Sequence, residues 1–323
     1  MTEQARDDLW RDFPKTAMAF EAKFATEEDC RTYWIEARWG GEPACAACTS
    51  RRLWSERDGF LFECADCGHQ TSLTSGTLLE KTHKPFKMWF RAIFEISSRK
   101  NGISAKELQR IMGFGSYRTA WVWLHKLRAA LVRTDREKLA ESVEIDEAFV
   151  GAKRAGKSLV LVATETDAKT GLGRIRMAQA ENNDAETLKR FADAEISPAA
   201  AVTSDGHAGY SKKSLGERAH NPVVQTKAER AEADVLQKAH RAISLLKRWL
   251  LGTHGSAVSM KYLQAYLDEY VFRYNRRRTK GVGRIAARTI QNLVAHAPMT
   301  MDQIINETRP FRAIPTATPE LNA

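Results

Sequence analysis

The chain has 323 residues, is 43% apolar and 28% charged, and carries a formal net charge of +10 with a pI near 9.4. That size and composition point to two or three domains with a sizeable core. The basic excess points to a polyanionic partner, with nucleic acid first, over a basic enzyme lacking one. No run of about 18 uncharged apolar residues occurs, which argues against a membrane span. The polar, acidic opening "MTEQARDDLW" is not a signal peptide. The expectation is therefore a cytoplasmic, nucleoid-associated protein with no membrane partner and with reduced cysteines.

In chain order, residues 1–40 read as a helical segment, with Cys30 in "TEEDCRTYWIEARW" a small buried residue on a helix. Residues 41–80 carry two Cys-x-x-Cys pairs, Cys45–Cys48 and Cys64–Cys67, with fifteen residues between them. Each pair can bend around one ion. The strand-like stretches around "RDG" between them can form a hairpin that closes a tetrahedral four-thiolate site. Gly68 suits the tight knuckle after the second pair. The reading is a zinc ribbon. Four thiolates leave no open position, so its zinc serves folding or docking and not chemistry. Two redox motifs are the alternative, but neither pair sits in a strand-to-helix context.

Residues 84–135 read as three helices. Pro85 suits a first helical turn, and Trp89, Ile93 and Ile96 space an apolar face. Ser104 and Glu107 form a capping-box signature, "GFG" makes a sharp turn, and "SYRTAWVWLHKLRAAL" follows as a second helix. This is a helix-turn-helix, whose second helix can enter a major groove. Arg118, with Tyr117 beside it, is placed to reach DNA, while Trp121, Trp123 and Leu124 are expected in the core.

Residues 140–297 read as one α/β domain. "SVEIDEAFVGA" is a strand with Val143, Ile145 and, beyond an irregularity, Phe149 and Val150 as its apolar positions. "SLVLVATETD" and "GRIRMAQAE" complete an antiparallel meander. "DAETLKRFADAEI" is a helix, "AAAVTSDGHAGY" a short buried strand ending at Asp205, and "NPVVQT" another strand. A helix carrying His240 follows, with Lys247 seven residues on and so on the same face. This order is that of the ribonuclease H-like core, a mixed five-stranded sheet with helices. It sets Asp146 beside Asp205, where two carboxylates would bind hard divalent cations. The pattern does not sort the acidic cluster. Asp146 is expected to share a face with Glu144 only across a bulge, so Glu144, Asp146 and Glu147 all stay in play. Asp205 also reads as a plain turn former.

Together these blocks, and "HRAISLLKRWLLGTHGSAVSMKYLQAYLDEYVFRYNRR" above all, resemble bacterial insertion-sequence transposases of the DDE class. The resemblance is to insertion sequence family 1595, with its ISXO-type domain, and covers roughly Phe13 to Ala297. It implies that Asp146 and Asp205 are the first two ligands of a two-ion Mg²⁺ or Mn²⁺ site. It places His240 third, where many such enzymes carry Glu and this family varies, and makes Lys247 a contact to a DNA phosphate. A neutral imidazole brings one nitrogen and no charge, and suits Mn²⁺ better than Mg²⁺. Glu229, Glu232 and Asp234 offer carboxylates nearby, at spacings that fit the family less well. The implied reaction is hydrolysis of a phosphodiester at the element end, then attack of the freed 3′-hydroxyl on target DNA. The implied partners are double-stranded DNA, as terminal inverted repeats and target, and further copies of the chain in a homodimer or larger assembly. A regulator that has lost chemistry, and a nuclease without strand transfer, are the rival readings.

The next block, "MKYLQAYLDEYVFRYNRRRTKGVGR", begins as an amphipathic helix packing through Tyr262, Leu263, Tyr266, Leu267 and Tyr270. It ends in a basic run where Arg276, Arg277 and Arg278 are candidate phosphate contacts, or a solvated helix end. Residues 298–323 are a tail, and "RAIPTATPELNA" within it reads as disordered.

Overall fold

Helix punctuation in the first part of the chain is written locally. In the computed structural model, which describes residues 11–56, 59–132, 136–151, 157–167, 171–255, 258–279 and 281–306, α1 (Ala17–Lys23) starts from Thr16. Helix α2 (Glu27–Trp39) starts from a Thr26/Asp29 capping box and stops at Gly40, whose φ of 73° is left-handed. The first of two units contains these helices and runs to residue 131, joined by residues 278–306; the second spans 132–277. No helix among the described residues is long and apolar enough to cross a membrane.

The cysteine-bearing segment forms a three-stranded antiparallel sheet of β1 (Leu53–Glu56), β2 (Leu61–Cys64) and β3 (Gln70–Ser72). Three helices follow: α3 (Phe86–Ser98), α4 (Ala105–Met112) and α5 (Tyr117–Ala130). The Ser104 and Ser116 side chains cap α4 and α5. The capping box expected at α4 is only half made, because the Glu107 carboxylate turns instead to Arg110. Pro85 precedes α3 and offers no side-chain cap. Glu27 of α2 takes over that role, accepting from the Phe86 and Lys87 N–H groups at 2.7 and 2.9 Å. In the core, Trp89 stacks on Trp123 with centroids 3.5 Å apart, and Leu124 is fully buried. Trp121 is half-buried against His125. Cys30 is buried as expected, and burial with the nearby acids pushes its thiol up to about 12.

Helix α11 (Val282–Ala295) departs from the expected boundary at 297. It packs on α2, α3 and α5 of the first unit. Asn292 donates to the Ala130 carbonyl at 2.6 Å, and Leu293 accepts from the Leu78 N–H. The physical reason is its stripe of Ala286, Ala287, Ile290 and Leu293, which is buried there. A short helix, α12 (Met301–Asn306), follows within the segment read as a tail. The stretch read as disordered lies outside the described residues.

The second unit is built on a five-stranded sheet in the order β6-β5-β4-β7-β8. Its strands are β4 (Ser142–Val150), β5 (Ser158–Glu165), β6 (Ile175–Ala180), β7 (Ala201–Ser204) and β8 (Ala219–Pro222). Strands β4, β5 and β6 form the expected antiparallel meander, and β7 and β8 add in parallel. The last strand lies earlier than "NPVVQT" implied, at Ala219–Pro222; the Val223 N–H still reaches the Ser204 carbonyl, and the pairing stops there because β7 ends at Ser204. Helix α6 (Ala185–Glu195) covers one face through Leu188, Phe191 and Ala192, and the short helices α7 (Lys212–Leu215) and α8 (Lys227–Glu232) follow β7 and β8. Helices α9 (Gln237–His254) and α10 (Leu263–Asn275) cover the other through Ile243, Leu246, Leu263, Leu267 and Tyr270. The open edge of β6 is closed by amides of α10. Asn275 pairs with both backbone groups of Ile175, and Gln264 accepts from the Gln179 N–H.

Candidate active site and zinc centre

The two Cys-x-x-Cys pairs meet as the spacing implied. Cys45 and Cys67 sulfurs are 3.6 Å apart, Cys48 and Cys64 sulfurs 3.5 Å, and all four lie within 4.8 Å of one another. Each pair ends in the same knuckle. The Thr49 N–H returns to the Cys45 carbonyl and the Gly68 N–H to the Cys64 carbonyl, with φ of 62° and 68° at the turning residues. The Cys48 N–H bond holds the Cys45 thiol down, to about 6, and the Cys64 thiol is lowered too, while those of Cys48 and Cys67 are raised, because clustered thiols resist ionising together until a cation joins them. Four soft donors at this spacing fit tetrahedral zinc and leave no fifth place.

In the second unit, β4 is regular. It pairs with β5 residue for residue from Val143↔Glu165 to Val150↔Ser158, without the expected bulge. Alternation then places Val143 and Ile145 toward α6, and Glu144, Asp146, Ala148 and Val150 toward α9 and α10. The expected irregularity is therefore wrong, and Phe149 is exposed rather than apolar core. Glu144 and Asp146 share a face because they are two residues apart.

Tertiary contacts sort the three carboxylates. Glu144 is buried and committed to α9, accepting from the Lys238 and Ala239 N–H groups at 2.9 and 3.0 Å, with the Lys238 ammonium at 2.6 Å. The helix needs this, since Leu236 at its N-cap makes no side-chain bond. Glu147 is held by the Tyr210 hydroxyl and by the Asn183 amide at 3.0 Å. Asp146 is left facing the imidazole. Its Oδ2 lies 3.3 Å from His240 Nε2, and its Oδ1 accepts the Glu147 N–H at 2.8 Å.

Asp205 follows β7 directly. The parallel register pairs Glu144 with Thr203, so two further steps set Asp205 level with Asp146. Gly206, with a φ of 80°, makes the turn; a Cβ there would meet Val224 at 2.7 Å. The His207 N–H then binds back to Asp205 Oδ1 at 2.9 Å. Burial lifts the Asp146 carboxyl above the ordinary carboxylate range. The charges of Glu147 and Asp205 add to this, against the Glu147 N–H and His240. Carboxylates that repel one another across a half-buried site are what a bound cation relieves. The Nε2–Oδ2 gap fits too, since adjacent ligands about 2.1 Å from one cation stand roughly 3.0–3.4 Å apart. Among the described residues only the cysteines gather three or more ligand atoms within 4.8 Å. Asp146 and His240 are in contact, and Asp205, just past the end of the neighbouring strand, lies within electrostatic reach of Asp146.

Residues 138–275 match the family model described as the ISXO2-like transposase domain, and residues 25–70 match that of the transposase zinc-ribbon domain. The chain belongs to the transposases of insertion sequence family 1595. No curated protein matches it. The transposase domain match runs from just before β4 to the last residue of α10, and leaves α11 out. The zinc-ribbon match takes in all four cysteines, and the ion they hold is structural zinc.

The remaining candidates of this transposase are placed unevenly. Arg118, in the first turn of α5, and Lys247, two turns beyond His240 on α9, are both exposed. Arg277 is engaged by the fold: its guanidinium covers the Tyr274 ring and donates to the carbonyls of Tyr274, Gly173 and Leu172. Arg276 is half-buried over Phe272, and Arg278 is exposed. Sequence reasoning missed the task of Glu144 and the Tyr210–Asn183 clamp on Glu147, because no local pattern links residues so far apart.

Proposed function

We propose that this transposase cleaves DNA at the ends of its own element and joins the freed 3′ end to target DNA, with Asp146, Asp205 and His240 as the ligands of catalytic divalent cations. The observation that carries the reading is their convergence: Asp146 on β4, Asp205 just past the end of its parallel neighbour β7, and His240 Nε2 3.3 Å from Asp146. Bound Mg²⁺ or Mn²⁺ would supply charge neutralisation at the scissile phosphate and acidify the attacking hydroxyl or water. Phosphoryl transfer needs alignment and charge compensation more than a dedicated protein base. Lys247 offers a cation for a phosphate near the scissile bond. The zinc ribbon and the α4–α5 pair recognise the terminal inverted repeats, with Arg118 at the start of the second helix. Two ends must be brought together, so the working form is a dimer or larger assembly.

The test is purified protein with labelled end-repeat DNA, target DNA and Mg²⁺ or Mn²⁺. Cleaved ends followed by joined donor–target product are expected, and Asp146→Asn is expected to lower both about a thousandfold. Repeat binding without nicking would make the chain a DNA-binding regulator. Nicking without joined product would make it a nuclease.

A further inference from the structure

His240 raises a charge problem. A carboxylate in the third position brings a negative charge to the cations, and an imidazole brings none. The loop before α9 carries an answer. Asp234 Oδ2 lies 2.6 Å from His240 Nδ1, and its Oδ1 accepts the Leu236 N–H at 3.1 Å. The loop is itself braced by Gln225, which donates to the Ala233 carbonyl and accepts from the Val235 N–H. Asp234 is thus fixed at both oxygens before any ion arrives.

A carboxylate oxygen can only accept, so Nδ1 carries the hydrogen in this contact. In the neutral ring Nε2 is then an acceptor, and it faces Asp146 Oδ2 at 3.3 Å. At that distance Nε2 and Oδ2 need either a shared proton or a cation between them, and a bound ion would take the place of the proton. Resting on the function proposed above, we infer that Asp234 is a positioning residue for His240. It holds the imidazole as the Nδ1–H tautomer, turns the Nε2 lone pair toward Asp146, and lends the third ligand the charge that an imidazole lacks. A carboxylate behind a ligating histidine fixes ring orientation and raises its basicity, and losing it costs about 10–100-fold in metal affinity. The Asp234–His240 pair does jointly what a glutamate does alone. A plain helix-capping aspartate would affect stability only.

The experiment uses the full chain with zinc in its ribbon. Mn²⁺ affinity is followed by electron paramagnetic resonance, and the metal-free His240 ring by ¹⁵N chemical shift. The wild-type ring is expected as the Nδ1–H tautomer. Asp234→Asn keeps an acceptor for Nδ1 but not the charge, and is expected to keep the tautomer while weakening Mn²⁺ about 10-fold. Asp234→Ala is expected to lose the tautomer preference and about 100-fold in affinity. His240→Glu in the Asp234→Ala background is expected to restore binding, since glutamate brings its own charge. Wild-type Mn²⁺ affinity in Asp234→Asn overturns the inference, even should the alanine variant misfold. Asp146→Asn separates the two readings. If it too binds Mn²⁺ normally, the metal site itself fails; if it alone loses binding, only the role of Asp234 fails.

Discussion

The zinc centre and the proposed carboxylate–imidazole site would be opposite solutions to holding metal. The ribbon's four sulfurs come from two short knuckles of the same design, each closed by an N–H returning to the first cysteine's carbonyl. The proposed catalytic cluster draws Asp146 from β4, Asp205 from just past the end of β7 and His240 from α9. The first set is soft, saturated and tight; the second is hard, wider, and braced by residues that are not ligands. A closed site can be assembled from local geometry because the ion itself is the core. An open site must stand ready while part of the coordination sphere is left to substrate, so the surrounding fold must hold it.

That contrast can be broken most severely at the ribbon. Cys64→Ser, or a strong chelator, is expected to empty the zinc centre and unfold the ribbon, since structural zinc supplies on the order of 10 kcal/mol of folding free energy. Zinc content and proteolysis between residues 41 and 80 report it. An intact, zinc-free ribbon would put the fold's stability elsewhere.

Asp146→Asn should do the reverse. It is expected to lower cleavage about a thousandfold, equivalent to ~4 kcal/mol, while zinc content stays unchanged. The metal-free variant should also melt higher than wild type at neutral pH. The Asp146 carboxyl is raised in the folded chain, chiefly by burial. Ionised Asp146 therefore costs stability, a cost absent below the ordinary carboxylate pKa of about 3.9 and complete only above the raised one. The gap in melting temperature should shrink as pH falls toward that range; a gap that widens instead would contradict the assigned direction.

Smaller effects are expected at the two glutamates that cap helices from a distance. Glu144→Ala strips the N-terminus of α9 and leaves buried donors unpaired, for an expected loss of about 2–3 kcal/mol in denaturant unfolding. Glu144→Gln should lose less, since its carbonyl still accepts one N–H. Glu27→Ala, at the start of α3, should cost only about 1 kcal/mol, because its side chain is 30% exposed and water can replace it. Equal losses at the two positions would mean that burial does not set the difference.

How far the sequence alone reached can be read from these same residues. Cys45, Cys48, Cys64 and Cys67 were legible as a set because a Cys-x-x-Cys knuckle is a local shape. Asp146 and Asp205 were legible as neighbours because strand order implies adjacency. The choice among Glu144, Asp146 and Glu147 was not legible, since each was an acid on a strand with unknown partners. The bulge expected in β4 was a misjudged parity: on an unbroken strand residues 144 and 146 already share a face. The helix Val282–Ala295 was read with the wrong unit because its apolar stripe fits any complementary surface.

The sequence by itself therefore determined the order of modules, the zinc ligands and the strand that presents Asp146. Those depend on spacing, periodicity and capping, all short-range properties of a chain. Only the tertiary structure decided that Glu144 belongs to a helix terminus, that Glu147 is clamped by Tyr210 and Asn183, and that Asp234 stands behind His240. Each of these is a choice of hydrogen-bond partner. A carboxylate's partner is set by which donors the completed fold brings within about 3 Å, and the donors to Glu144 and Glu147 lie 36 or more residues away along the chain.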